Sequence, residues 1–115
     1  MVRTISRDDL KAKLDRREAF VILEALPEKY YRHSHLPGAI SFPHDQVDVL
    51  APSLVPDKKT DIVVYCANVD CKNSGMAAEA LIALGYSNVR AYEGGKADWI
   101  EAGLPIEGSA ARHAA

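Results

Sequence analysis

The chain has 115 residues, 48% of them hydrophobic and 26% charged, with a formal net charge of −2 at pH 7. That is enough chain to bury one core in one soluble domain, and it offers no basic block for nucleic acid to grip. No apolar run approaches the length of a membrane span, and Met1-Val2-Arg3-Thr4 lacks a signal-peptide core, so a cytoplasmic location is expected. The only two cysteines, Cys66 and Cys71, argue for reduced thiols in one reactive loop rather than a disulfide scaffold.

Residues 2–5 read as a short edge strand. Ser6 with Asp9 three positions on has the form of a capping box, opening a helix over 7–17 with Leu10 and Leu14 on one face and Lys11, Lys13 and Arg16 elsewhere. Residues 20–23 form the next buried strand, which ends at Glu24. Open α/β sheets place their sites at such strand ends, although an acid there also serves as an ion-pair partner. A short helix over 27–31 leads to His33-Ser34-His35-Leu36-Pro37-Gly38, where Pro-Gly marks a tight turn before a strand over 39–41. No cysteine or third histidine lies at ligand spacing from His33 and His35, so no metal is expected. One of these imidazoles is expected to bond backbone and hold the turn.

A short helix over 44–50 and a surface connection over 51–60, carrying Pro52 and Pro56, precede the central segment. Asp61-Ile62-Val63-Val64-Tyr65 is a β-branched run typical of a strand buried on both faces. It delivers Cys66 into the loop Ala67-Asn68-Val69-Asp70-Cys71-Lys72, which feeds a helix over 75–84 closed by Gly85. Backbone amides wrapped around the sulfur, with a helix N-terminus beneath, would favour the thiolate and hold an anion beside it. On that helix Ala77, Leu81 and Leu84 form one stripe with Ala78 and Ile82 beside it, and Met76 reads as core filler. Residues 88–92 form a further strand, Glu93-Gly94-Gly95-Lys96 a turn needing permissive backbone, and 97–102 a helix carrying a core Trp99 whose indole N–H needs a partner. Residues 1–108 make one domain, and 109–115 a flexible C-terminal tail. Alternating strands and helices predict an α/β fold with a mainly parallel central sheet flanked by helices.

Four stretches resemble the rhodanese homology domain. They are His35-Leu36-Pro37-Gly38-Ala39-Ile40-Ser41-Phe42-Pro43; Ile62-Val63-Val64-Tyr65-Cys66; Ala77-Ala78 with Leu81 and Leu84-Gly85-Tyr86-Ser87-Asn88-Val89; and Glu93-Gly94-Gly95 followed by Trp99. Together they cover nearly the whole chain. The resemblance implies a cofactor-free sulfurtransferase in which Cys66 takes the outer sulfur of thiosulfate or another persulfide donor. A thiol, cyanide or a partner protein then accepts it. Cys66 would be the nucleophile, and the amides of Ala67, Asn68, Val69, Asp70, Cys71 and Lys72 the substrate-binding pocket.

The chain departs from the family pattern in ways that bear on this chemistry. Its loop is longer than the common form, and Ala67 stands where a basic residue often follows the cysteine. Glu24-Ala25-Leu26 matches the family's Asp–x–Arg without the arginine. Lys72 is the loop's one cation and Asp70 opposes it, which predicts weak thiosulfate:cyanide activity. Cys71 is a candidate resolving thiol if its Cα lies within about 4.4–6.8 Å of that of Cys66, and otherwise a bystander with its side chain turned away. Three other functions compete. One is a thiol redox or persulfide-sensing domain using Cys66 and Cys71. Another is a phosphatase or arsenate reductase, whose cysteine–five–arginine loop is matched here with Lys72 in the arginine position. The third is a non-catalytic binding module.

Overall fold

The computed structural model describes residues 2–110. Five parallel strands, β1 (Arg3–Thr4), β2 (Val21–Glu24), β3 (Ile40–Ser41), β4 (Ile62–Tyr65) and β5 (Val89–Tyr92), form one sheet in the order β1-β5-β4-β2-β3. Helices α1 (Arg7–Asp15), α2 (Glu28–His33), α3 (Val47–Leu54), α4 (Asn73–Ala83) and α5 (Gly95–Glu101) connect or flank them. The expected α/β architecture with its parallel sheet is the one observed. No helix among the described residues is long and apolar enough to cross a membrane.

β4 is the centre of the sheet, and all four of its residues are buried. Side-chain alternation sends Ile62 and Val64 into one core with Val47, Ala51, Ala77, Ala78 and Leu81, and sends Val63 and Tyr65 into the other with Leu10, Leu36 and Trp99. Each buried aliphatic side chain contributes about 1.5–3 kcal/mol relative to exposure. β4 pairs with β2 on one side and β5 on the other, in the registers Tyr65↔Glu24 and Tyr65↔Tyr92. The chain therefore diverges to both sides of β4, and the crevice at its carboxyl end is where such sheets place ligands.

The local signals act as expected at several points. Ser6 Oγ accepts from the Asp9 amide at 3.1 Å. Gly85, at φ 101°, ends α4 with its own N–H on the Ile82 carbonyl and that of Tyr86 on Leu81. The His35 Nδ1 lies 2.7 Å from the Tyr31 carbonyl, with the imidazole stacked on the Tyr31 ring, so this histidine does hold the turn. Trp99 is fully buried, and its indole donates to the Pro105 carbonyl at 2.7 Å.

Three expectations need correction. The connection expected over 51–60 begins as helix, because α3 runs through Pro52 to Leu54. Val47, Ala51 and Val55 share one buried face, and their packing outweighs the hydrogen bond that proline removes. Met76 is not core filler but 52% exposed, because the small Ala77 and Ala78 are what α4 presses against the sheet. Lys13, expected away from the Leu10–Leu14 face, is itself buried, with Asp61 at 2.6 Å and Glu18 at 2.9 Å. At the C-terminus, Glu107 bridges His35 and Gly108 packs on the carbonyls of Arg32 and His33. Of the expected tail, residues 111–115 lie outside the described residues.

Candidate active site

Cys66 is the first residue beyond β4 and is only 1% exposed. Its carbonyl accepts from the Lys96 amide at 2.9 Å, and the Ala67 carbonyl accepts from Ala97 at 2.8 Å. The loop thus caps the first turn of α5, and α5 in turn pins the base of the loop. Gly95 makes this contact sterically feasible. It sits at φ 69°, and a methyl group on it would lie 2.7 Å from the Cys66 carbonyl oxygen and 2.9 Å from the Asn68 nitrogen.

Beyond Ala67 the loop is shaped by Asn68. Its side-chain oxygen accepts from the Asp70 amide at 3.0 Å, and its carbonyl accepts from the Cys71 amide at 3.1 Å. Of the six loop amides expected to line the pocket, those of Asp70 and Cys71 are occupied inside the loop. The amides of Ala67, Asn68 and Val69 donate to no protein acceptor among the described residues. At the far end α4 begins where Met76 donates to the Lys72 carbonyl, and Asn73 Nδ2 ties it to the Ala25 carbonyl after β2. Asp70 and Lys72 are both exposed, and neither forms an ion pair among the described residues.

The fold of this loop brings the two cysteines together. Their Cα atoms are 6.1 Å apart and the sulfurs are joined in a disulfide. The alternative of a Cys71 with its side chain turned away is therefore corrected: the two sulfurs stand close enough to bond. The physical cause is the Asn68 turn, which reverses the chain between two anchored ends.

Glu24 does not face the sulfur. It is fully buried beside Tyr65, which donates to its Oε1 at 2.7 Å, and Lys96 Nζ stands 2.9 Å from the same oxygen, while Oε2 has no partner among the described residues. Lys96 also donates to the Tyr30 carbonyl at 3.1 Å, and Tyr65 Oη accepts from the Leu36 amide at 3.1 Å. Glu24 therefore plays the ion-pair role. The cation missing from the Asp–x–Arg position, where Leu26 stands, arrives from α5 instead. Sequence reading missed Lys96 because its partner lies 72 positions away in the chain. The signal that pointed nearby was the Gly94-Gly95 pair.

Leu26, Tyr30, His33, Ser34, Ala67 and Lys96 line a mostly apolar cleft of about 440 Å³ on one side of the loop. On the other side Cys71, Lys72 and Glu93 open onto a second cleft of about 350 Å³. The arrangement puts the Cys66 sulfur at the base of a strand–loop–helix turn, with unpaired amides in the loop that follows and a second sulfur in bonding reach.

Several known proteins are similar to this chain. The "Adenylyltransferase and sulfurtransferase UBA4" of Candida albicans is 27% identical over 99 residues, covering 83% of this chain and 23% of that protein. The "Thiosulfate sulfurtransferase PspE" of Escherichia coli is 39% identical over 64 residues, covering 56% of this chain and 59% of that one. The chain thus spans less than two thirds of either relative. The crystal structure of the Alr3790 protein from Anabaena superposes with a TM-score of 0.82 at 31% identity, covering 90% of this chain and 80% of that one. The family model of the rhodanese-like domain matches residues 6–102, which hold the whole sheet from β2 to β5, the cysteine loop and the Gly94-Gly95 turn. By this match, together with the parallel sheet that presents Cys66, the chain belongs to the rhodanese-like domain family.

Proposed function

We propose that the chain is a sulfurtransferase that carries sulfane sulfur on Cys66 as a persulfide. The observation that carries this reading is the placement of Cys66 at the carboxyl end of the central strand, with its carbonyl pinned by α5 and the amides of Ala67, Asn68 and Val69 left unpaired in the loop that follows. Those donors and the N-terminus of α4 favour a negative sulfur. In the first step the Cys66 thiolate attacks the outer sulfur of thiosulfate or an organic persulfide. The donor's S–S bond breaks, and sulfite or a thiolate leaves with the electron pair. In the second step a thiophilic acceptor, which is a thiol, cyanide or a partner protein, attacks that outer sulfur, and Cys66 leaves as thiolate. The names of the UBA4 and PspE relatives fit this class of activity.

The experiment is intact mass of the reduced protein after incubation with thiosulfate, and separately with glutathione persulfide, for wild type and Cys66→Ser. The expected result is a sulfur adduct that requires Cys66, and its absence with both donors, in wild type and in Cys71→Ser, would overturn the proposal. A second reading, a thiol redox domain, is favoured by the Cys66–Cys71 bond. It predicts loss of two hydrogens on mild oxidation, with no sulfur ever retained on Cys66, even in Cys71→Ser.

A further inference from the structure

We propose that Cys71 is the resolving thiol of a Cys66 persulfide, and that the chain reduces sulfane sulfur to hydrogen sulfide using an external dithiol as reductant. The inference rests on the sulfurtransferase reading and names the acceptor that reading leaves open.

The geometry carries it in two ways. First, Cys71 is placed rather than merely nearby. The Asn68 carbonyl accepts from its amide and Asn68 shapes the turn before it, α4 begins two residues after it, and its Cα lies 6.1 Å from that of Cys66 with the sulfurs in bonding reach. A thiol held there meets a Cys66 persulfide as an intramolecular acceptor, at an effective concentration that a free thiol in solution does not reach. Second, the two sulfurs differ in access. Cys66 is 1% exposed, whereas Cys71 is half-buried and lines the 350 Å³ cleft with Val69, Lys72, Gly75 and Glu93.

The chemistry balances as follows. The Cys71 thiolate attacks the inner sulfur of the persulfide, Cys66 Sγ. The bond between that sulfur and the outer one breaks, and the outer sulfur leaves with the electron pair as hydrosulfide. The two cysteine sulfurs are oxidised to the disulfide, and the sulfane sulfur is reduced to sulfide. A dithiol then attacks the accessible Cys71 sulfur and expels the Cys66 thiolate. Its second thiol closes on the first, releasing Cys71 as thiolate and leaving the dithiol as a disulfide. Attack at Cys71 returns the buried nucleophile to the state in which it accepts the next sulfur. The reaction upstream must be one that produces thiosulfate or a persulfide, and the one downstream must consume sulfide.

The test is single-turnover loading of fully reduced protein with thiosulfate, and in parallel with glutathione persulfide, in wild type and Cys71→Ser, reading intact mass and released sulfide without added reductant. The expected result has two arms. Cys71→Ser retains one extra sulfur atom and releases no sulfide. Wild type loses two hydrogens, with the disulfide mapped to Cys66 and Cys71, and releases one sulfide per chain. If both proteins retain the sulfur and neither releases sulfide, the resolving role is overturned while the sulfurtransferase reading stands. If neither protein takes up sulfur from either donor and no sulfide appears, the sulfurtransferase reading itself falls, and this inference with it.

Discussion

Replacing Lys96 with methionine tests the idea that a buried ion pair, drawn from opposite ends of the sequence, ties α5 to β2 beneath the cysteine loop. Glu24 is fully buried and the Lys96 side chain is 11% exposed, with 2.9 Å between Nζ and Oε1. Removing one partner of such a pair leaves a charge in the interior with only the Tyr65 hydroxyl to bond it, which costs about 3–5 kcal/mol. A domain of this size has about 5–15 kcal/mol in total, so the variant should still fold. With a urea slope of about 2 kcal/mol per M, the unfolding midpoint followed by Trp99 fluorescence should fall by roughly 2 M. The Glu24→Gln/Lys96→Met double variant should recover much of the loss, because no uncompensated charge remains. Residue 96 keeps its backbone N–H on the Cys66 carbonyl, so folded Lys96→Met protein should still load sulfur, which separates stability from chemistry. A loss below about 1 kcal/mol, the range of an exposed pair, would refute the reasoning.

Gly95→Ala should destabilise by at least about 1–2 kcal/mol from its left-handed backbone alone, and the 2.7 Å approach to the Cys66 carbonyl adds a clash that displaces the loop. Intact-mass loading should therefore drop even in protein that remains folded, and full loading with an unchanged urea midpoint would count against this account. Stability should also fall in alkali. Burial first, then the charge of Glu24, pushes the Tyr65 phenol up; burial first, then the bond to Asp98, does the same for Tyr92. For Lys13 burial acts downward, but the bonds it donates to Asp61 and Glu18, with their charges, outweigh it and leave its pKa raised. These groups keep protons that the unfolded chain releases, so their stabilisation is full below about pH 10 and is lost above it, at about 1.4 kcal/mol per pH unit for each group. Urea midpoints from pH 8 to 11 in a Cys66→Ser/Cys71→Ser background should show this fall, with a shallower slope after Tyr65→Phe. A flat profile would contradict the assignment.

What the sequence by itself determined are the features written in short-range chemistry. The β-branched run 62–65 forms the central strand because its neighbours in the chain suffice to say that it is buried on both faces. Ser6, Gly85 and the Pro37-Gly38 turn mark element boundaries because capping and positive φ are local requirements. The position of Cys66 at a strand end follows from the same signals, whereas the departures at Leu26, Asp70 and Lys72 were legible only against the family pattern that the chain resembles.

Only the tertiary structure decided the rest, because each of those features depends on a partner distant in sequence or on a chain reversal. α3 continues through Pro52 since its face packs against α4, a gain that local propensity does not contain. Met76 turns outward because alanines already fill the sheet contact. The cation that Leu26 does not supply beside Glu24 comes from Lys96, where Gly95 lets α5 approach the loop. Cys66 and Cys71 meet because Asn68 turns the loop while α5 and α4 hold its two ends. A five-residue spacing permits that meeting, and only the anchored backbone brings it about.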